Sequence, residues 1–150
     1  MALRADTAAV AVAPLVVLGG FRGALPFQLA AGVPTSGPFS LLAVGEACLD
    51  ALRIAGERGS DVQVLILVSP PPPPADLPAV ATLVVCGTDD VSATGRAYRE
   101  RMANCHYVLV YACGADVAGD RPEAFAALVS DFLARKERFI VSQRSGLLHP

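Results

Sequence analysis

The stretch VATLVVCGTDDVSATGRAYRERMANCHYVLVYACG, residues 80–114, contains two apolar runs separated by a polar segment. The runs at 80–87 and 106–114 are rich in Val and Leu, do not alternate with polar residues, and end in glycine. Such runs are typical of strands that are buried on both faces, as in a parallel sheet. The segment between them, 92–103, predicts a helix with Ser92 as its N-cap. This strand–helix–strand order favours an α/β fold.

The same alternation continues outside this stretch. Further apolar runs predict strands, and amphipathic patterns predict helices; the strands are at 14–20, 39–45 and 62–69, and the helices at 46–58 and 121–137. Because crossovers between parallel strands are right-handed, this order predicts a mostly parallel sheet of about five strands, in the order 1-2-3-4-5. Helices on its two faces would give three layers.

The helical patterns also predict which side chains are buried. In 46–58 the stripe contains Leu49, Leu52 and either Ile54 or Ala55, and in 92–103 one face contains Ala97, Arg101 and Met102. The last helix has apolar residues at 3.6-residue spacing, namely Phe125, Leu128, Val129, Phe132 and Leu133. Asp120, ahead of Pro122 and Glu123, is predicted to be the N-cap of this helix.

Length and composition predict one domain over residues 1–150, with an N-terminal lead-in at 1–13 and a C-terminal tail at 138–150. The hydrophobic content is 53%. That excess favours either helices on both faces of the sheet or an apolar surface that a partner covers. We expect a homo-oligomer or a protein partner, with the apolar tail pairing with that partner rather than with its own core.

Charge and hydropathy give no reason to expect binding to nucleic acid, a membrane span or export. The net charge of −2 gives no reason to expect nucleic acid. No apolar run reaches the ~18 residues that a membrane span needs. Asp6 and Pro14 interrupt the apolar N-terminus, so we expect no export signal and a cytoplasmic protein.

Residues 77–139 resemble the C-terminal half of α/β-hydrolase-fold proteins. In that family a strand ends in G-T-x-D with the acid of the catalytic triad, a G-H pair with the catalytic histidine follows, and a helix opens with D/E-R-P-E-x-F. Here the corresponding segments are GTDD (87–90), CGA (113–115) and DRPEAF (120–125). Upstream, PLVVLGGF (14–21) resembles the oxyanion strand, and residues 41–71 resemble the nucleophile strand, its elbow, the following helix and the next strand.

The resemblance implies an altered active site. It places Ala47 at the serine, Asp90 at the acid and Ala115 at the histidine, with the backbone of Phe21 and Cys48 as oxyanion donors. An alanine methyl group can neither attack a carbonyl nor accept a proton. The chain is therefore expected to be a reduced, lidless and catalytically inactive member that acts as a binding or accessory subunit.

An active alternative stays open. Cys48 adjoins the elbow, and its thiolate could serve as the nucleophile of a weak ester or thioester hydrolase. The available bases are poorly placed, because His106 begins a strand and His149 is in the tail.

Cofactor sites are not expected. Cys86, Cys113, Asp89, Asp90 and Asp116 are predicted to lie near one edge of the sheet, but no histidine joins them and the cysteines lack zinc-ligand spacing. We expect no metal and four reduced thiols. The sequence GGFRG (19–23) lacks the G-x-G-x-x-G spacing of a dinucleotide loop.

The five prolines at 70–74 occupy the position where the related family often inserts a lid. Such a run favours an extended polyproline conformation. It is predicted to be a stiff bridge between two strands, with a role as a docking ligand of the SH3 type as the alternative.

Overall fold

A computed structural model describes residues 13–19, 29–30, 32–91, 94–135 and, for the backbone, 147–148. Ser92, Phe21, His149 and most of the lead-in and tail lie outside these residues. The elements are β1 (Leu15–Leu18), β2 (Phe39–Val44), α1 (Ala47–Arg58), a 3₁₀ turn (Gly59–Asp61), β3 (Val62–Val68), β4 (Thr82–Gly87), α2 (Gly95–Arg101), β5 (Cys105–Val110), α3 (Val117–Asp120), α4 (Pro122–Arg135) and β6 (Leu147–Leu148).

The sheet has the order β1-β2-β3-β4-β5-β6. The first five strands are all parallel, so the predicted fold class and strand order are confirmed. β5 ends at Val110, four residues before the predicted end, because the chain turns at Tyr111 and Ala112. Ala112 has a φ of 52°, which an extended strand does not accommodate.

The sixth strand is a difference from the expectation. Leu147 and Leu148 pair antiparallel with Val110 and Leu109 of the same chain. The prediction that the tail pairs with a partner rather than with its own chain is therefore wrong at these two residues. The rest of the tail lies outside the described residues.

Both faces of the sheet are covered, which accounts for the Val- and Leu-rich strands. On one face α1 and α2 pack on the sheet, and we call this group the first-face cluster; it includes Phe39, Leu41, Cys48, Leu52, Cys86 and Tyr98. On the other face α3 and α4 form the second-face cluster, which includes Ile66, Leu83, Cys113, Phe125, Leu128 and Phe132. Each large side chain buried in this way stabilises the fold by about 1.5–3 kcal/mol.

The predicted stripe of α4 is confirmed, whereas those of α1 and α2 are partly wrong. In α1 the buried residues are Cys48, Ala51, Leu52 and Ala55, a regular i, i+3, i+4, i+7 stripe. Leu49 lies one position, about 100° around the helix, from Cys48 and is 39% exposed. In α2 the buried residues are Gly95 and Tyr98. Of the predicted face, Met102 is buried, Ala97 is half-buried and Arg101 is exposed.

Asp120 does not have the predicted capping role. An extra helical turn, α3, precedes α4, and its cap is Asp116, whose carboxylate accepts a hydrogen bond from the Gly119 N–H at 3.1 Å. The Asp120 carboxylate instead accepts from the Gly114 N–H at 3.0 Å. Pro122 is the first residue of α4, where a missing N–H costs nothing.

None of the helices in the described ranges has the length and apolarity that crossing a membrane requires.

Candidate functional site at the carboxyl edge of the sheet

The carboxyl ends of the five parallel strands meet at one side of the sheet, which we call the carboxyl edge. Ligand and catalytic sites of open α/β sheets lie at this edge. The three residues that the sequence singled out all follow strands there: Ala47 after β2, Asp90 after β4 and Ala115 after β5. The structure therefore brings these three positions to the same side of the sheet.

The turn after β2 is sharp, and its left-handed residue is Gly45, with a φ of 64°. Its N–H donates to the Val68 carbonyl at 2.9 Å, which holds the turn against β3. Glu46 is the N-cap of α1, and Ala47 is its first residue. The strained position of this turn is therefore occupied by a residue without a side chain.

The side chain of Ala47 faces the loop after β1. A Cβ at Gly19 would lie 2.8 Å from the Cβ of Ala47 and 2.8 Å from the Val44 carbonyl oxygen. Gly19 also has a φ of 90°, which favours glycine. The loops after β1 and β2 are thus in direct contact, with a methyl group between them.

Cys48 points into the core rather than towards the carboxyl edge. Its side chain is fully buried, and its Sγ lies 3.4 Å from the Ala43 carbonyl oxygen and 3.8 Å from that of Val68. Desolvation raises the pKa of the thiol to about 12, against the smaller opposing effect of the hydrogen bond to Val68. A buried, protonated thiol is a poor nucleophile, so this geometry does not support the predicted role of Cys48.

The histidine within the described residues is also far from this edge. His106 is the second residue of β5, near the amino end of the strand. Its ring packs edge-on against Phe132, with 6.2 Å between ring centroids. This placement agrees with the expectation that His106 is badly positioned as a base.

Asp90 and Ala115 lie in loops at the carboxyl edge, and each loop is held by a hydrogen bond to a residue at the end of a strand. The Asp90 N–H donates to the Gly87 carbonyl at 3.1 Å, and the Asp90 charge contributes to raising the pKa of Cys86. Ala115 is exposed, and its carbonyl accepts a hydrogen bond from the Ser69 hydroxyl at 2.7 Å. Ser69 has a φ of 50° and directly follows β3. Sequence reasoning missed this residue, although a serine between a strand and a proline was a visible signal.

The loops after β4 and β5 pack closely on each other. The Thr88 N–H donates to the Val110 carbonyl at 3.0 Å, and the Asp89 N–H donates to that of Cys113 at 2.9 Å. In return, the Ala112 N–H donates to the Thr88 hydroxyl at 3.1 Å. These three bonds fix the backbone just before Ala115, the position that the family resemblance assigns to the histidine.

The cysteines and aspartates expected near this edge are not gathered into one site. Cys86 belongs to the first-face cluster and Cys113 to the second-face cluster, so the sheet lies between their thiols. Asp116 caps α3. Over the ranges that the structure covers, no group of three His, Cys, Asp or Glu residues is placed to hold a metal ion.

A depression of about 560 Å³ lies at the opposite, amino-terminal side of the sheet, between the end of α1 and residues 78–81. Small residues such as Gly56, Gly59 and Ala79 line it. None of the predicted site residues contributes to it.

No protein-family model and no curated protein matches the chain. Solved structures do match. A serine hydrolase involved in carbazole degradation has a TM-score of 0.64 and 13% identity, over 82% of this chain and 91% of its own. A thermophilic esterase from Thermogutta terrifontis has a TM-score of 0.63 and 11% identity, over 84% and 91%. This chain has an α/β-hydrolase-like fold.

A predicted CIB-like hydrolase from Thermoplasma acidophilum is also similar, with a TM-score of 0.59 and 18% identity over 65% of this chain. The chain covers about half of that protein's length, 51%. At these identities the likeness shows the fold alone.

Proposed function

We propose that this protein is a catalytically inactive α/β-hydrolase-fold protein that acts as a binding or accessory subunit. Ala47, Asp90 and Ala115 take the triad positions of a reduced, lidless version of the fold. One observation carries the proposal: in the described turn after β2, residues 45–48, no hydroxyl or thiol group faces solvent. Gly45 has no side chain, Ala47 offers a methyl group, and the thiol of Cys48 is buried.

The expected loss of activity is large. Removing the nucleophile or the base of a serine triad lowers turnover by about a factor of 10⁶. Backbone oxyanion donors and binding alone leave roughly 10³–10⁴-fold catalysis over water. Such residual activity is too small for an enzyme. The loops of the carboxyl edge, which are hydrogen-bonded to each other, are still available to bind a ligand or partner.

The enzymatic test uses p-nitrophenyl acetate and an acyl thioester. We expect hydrolysis by the purified protein to equal that by a Cys48→Ala variant, because the thiol is inaccessible. Cys105→Ala is the matched control, since it removes a part-buried thiol outside the carboxyl edge. Turnover that Cys48→Ala abolishes and Cys105→Ala preserves would overturn the proposal in favour of the thiol hydrolase.

An accessory role requires a partner. Val91 is fully exposed, and Tyr111 is 47% exposed, both in loops at the carboxyl edge. Association would remove such apolar groups from water. Light scattering at micromolar concentration should therefore give a mass above the 15.5 kDa of one chain, or a second protein should co-purify. A monodisperse monomer that co-purifies with nothing would contradict the accessory role.

A further inference from the structure

α2 carries three arginines, and two of them have no partner among the residues that the structure describes. The Arg101 guanidinium donates to a backbone carbonyl, whereas those of Arg96 and Arg99 make no hydrogen bond or ion pair in the described ranges. Arg96 is exposed and Arg99 is half-buried. Residues three positions apart are neighbours on a helix surface, so both guanidiniums are able to reach one ligand.

α2 is held in place by hydrogen bonds to the segment between β3 and β4. The buried Tyr98 donates its hydroxyl to the Pro71 carbonyl at 2.7 Å, and Arg101 donates to that of Ala75 at 2.7 Å. The segment is the predicted proline bridge, but it bends at Pro72, so it is not extended throughout. These bonds fix the helix that presents the two unpartnered arginines.

Tyr107 of β5 packs against the first residue of α2. A Cβ at Gly95 would overlap the Tyr107 ring and would lie 2.9 Å from Cζ, the carbon that carries the hydroxyl. Tyr107 is only 5% exposed, and its hydroxyl makes no hydrogen bond within the described part of the chain. Every fully buried polar side-chain atom in that part has a partner. The small exposed area of Tyr107 therefore includes its hydroxyl oxygen, which is open to a ligand.

The charges of both arginines act on the Tyr107 phenol. Burial is the main cause that raises the pKa of Tyr107, and the nearby Cys86 adds to it, whereas Arg96 and Arg99 oppose this shift. Asp90 also raises this pKa, but its effect is smaller than that of either arginine. The two cations therefore outweigh the one carboxylate beside the hydroxyl, and a net positive charge attracts anions.

The stability of α2 does not account for the position of Arg96. Arg96 is the second residue of the helix, near the positive end of the helix dipole, where a cation is unfavourable. The first turn contains no acidic residue that would offset this charge. Arg99 and Arg101 lie in the last turn, where cations are favourable. A bound anion would compensate the charge of Arg96.

We propose that Arg96, Arg99 and the Tyr107 hydroxyl, which we call the arginine–tyrosine cluster, bind the phosphate group of a small molecule. A guanidinium pairs with two oxygens of a phosphate, and the phenol donates one further hydrogen bond. A phosphomonoester carries a charge between about −1.5 and −2 at neutral pH, which two cations balance better than they balance a carboxylate. The proposal does not rest on the loss of catalysis, since none of these residues takes a triad position.

The test is an NMR titration of the ¹⁵N-labelled full-length chain at neutral pH and constant ionic strength. The probes are inorganic phosphate, phenyl phosphate and, as a singly charged comparison, acetate. We expect saturable shifts of the Gly95, Arg96 and Tyr107 amide signals with both phosphates, and at least tenfold weaker binding of acetate. Tighter binding of phenyl phosphate would identify an organic phosphate as the ligand, and equal binding would identify free phosphate.

Three variants and one control locate the interaction. Arg96→Gln and Arg99→Gln should each weaken phosphate binding by about tenfold or more. Tyr107→Phe keeps the packed ring, loses only the hydroxyl, and should weaken binding by about threefold. Arg53→Gln is the matched control, because it removes the same charge from an exposed arginine on α1 that already has acidic partners. It should leave the affinity unchanged.

The proposal is overturned if neither phosphate gives saturable shifts at the arginine–tyrosine cluster, or if acetate binds as tightly as phosphate. It is also overturned if Arg96→Gln, with its fold verified by circular dichroism, binds as tightly as Arg53→Gln. Equal binding by Tyr107→Phe would remove the hydroxyl from the site. Ester hydrolysis by the same samples tests the proposed function separately.

Discussion

Gly87→Ala is expected to lower the free energy of unfolding by about 3 kcal/mol or more. Gly87 is the last residue of β4 and is fully surrounded by protein. A Cβ at this position would overlap the carbonyl oxygens of Cys113 and Gly114. Both are backbone atoms, so no side-chain rotation can relieve the overlap, and the loop after β5 has to move away from β4.

That movement would break the bonds that join the two loops. The Asp89 N–H donates to the Cys113 carbonyl, and the Thr88 N–H to that of Val110. The effect on stability is measured by urea unfolding, followed by circular dichroism. A well-folded variant with unchanged stability would show that the loop after β5 does not pack on Gly87.

Gly56→Ala is the matched control. Gly56 lies in α1, and no atom lies within 4 Å of a Cβ added there. Alanine in a helix is favoured over glycine by about 0.5–1 kcal/mol. The same substitution should therefore stabilise the protein at residue 56 and destabilise it at residue 87. Equal effects at the two positions would contradict the packing described here.

The strand order was predictable from the sequence because it depends on general rules. Runs of Val and Leu define the strands, and right-handed crossovers fix their order. The end of β5 was not predictable, because Tyr111 to Cys113 are as apolar as the strand itself. Only the positive φ of Ala112, set by the contact with Thr88, ends the strand there.

The capping of the last helices illustrates a second limit. The pattern around Asp120, Pro122 and Glu123 fits a capping box, but Asp116 fits a cap equally well. Which aspartate caps depends on Gly114, whose N–H binds the Asp120 carboxylate and so removes it from this role. A local pattern does not contain that contact.

The candidate site was predicted in position but not in orientation. The motif resemblance assigned Ala47, Asp90 and Ala115 to turns that follow strands, and parallel topology brings such turns to one edge of the sheet. Whether Cys48 or Leu49 faces the core depends on a rotation of α1 by one residue, and composition does not decide this. The hydrogen bond from Ser69 to Ala115 joins residues 46 positions apart, beyond the reach of any local motif.

Raising the pH above 9 is expected to unfold the protein, because the native state holds buried thiols in the neutral form. Burial raises the pKa of Cys48 and Cys105 to about 12 and that of Cys86 and Cys113 to about 11, from an ordinary value of 9.0. Below pH 9 the thiols are protonated in both states, and stability is unaffected. Above pH 9 the unfolded chain releases these protons and the native state does not, so the unfolded state is favoured.

The size of the effect follows from the linkage relation. Each thiol lowers the free energy of unfolding by about 1.4 kcal/mol per pH unit between its unfolded and native pKa. The four thiols together give about 5.5 kcal/mol per unit, or about 11 kcal/mol between pH 9 and pH 11. Domains of this size are stable by about 5–15 kcal/mol. Unfolding is therefore expected near pH 11 in a reducing buffer.

The variant Cys48→Ala separates this mechanism from general alkaline denaturation. Its stability at pH 8 should be lower than that of the unmodified chain, because the smaller side chain leaves a cavity in the first-face cluster. Its stability should nevertheless fall less steeply above pH 9, at about 4 rather than about 5.5 kcal/mol per pH unit. Urea unfolding at pH 8, 9, 10 and 11 measures both slopes. Parallel slopes for the two proteins would mean that Cys48 ionises freely in the native state, and the thiol would then be accessible enough to act as a nucleophile.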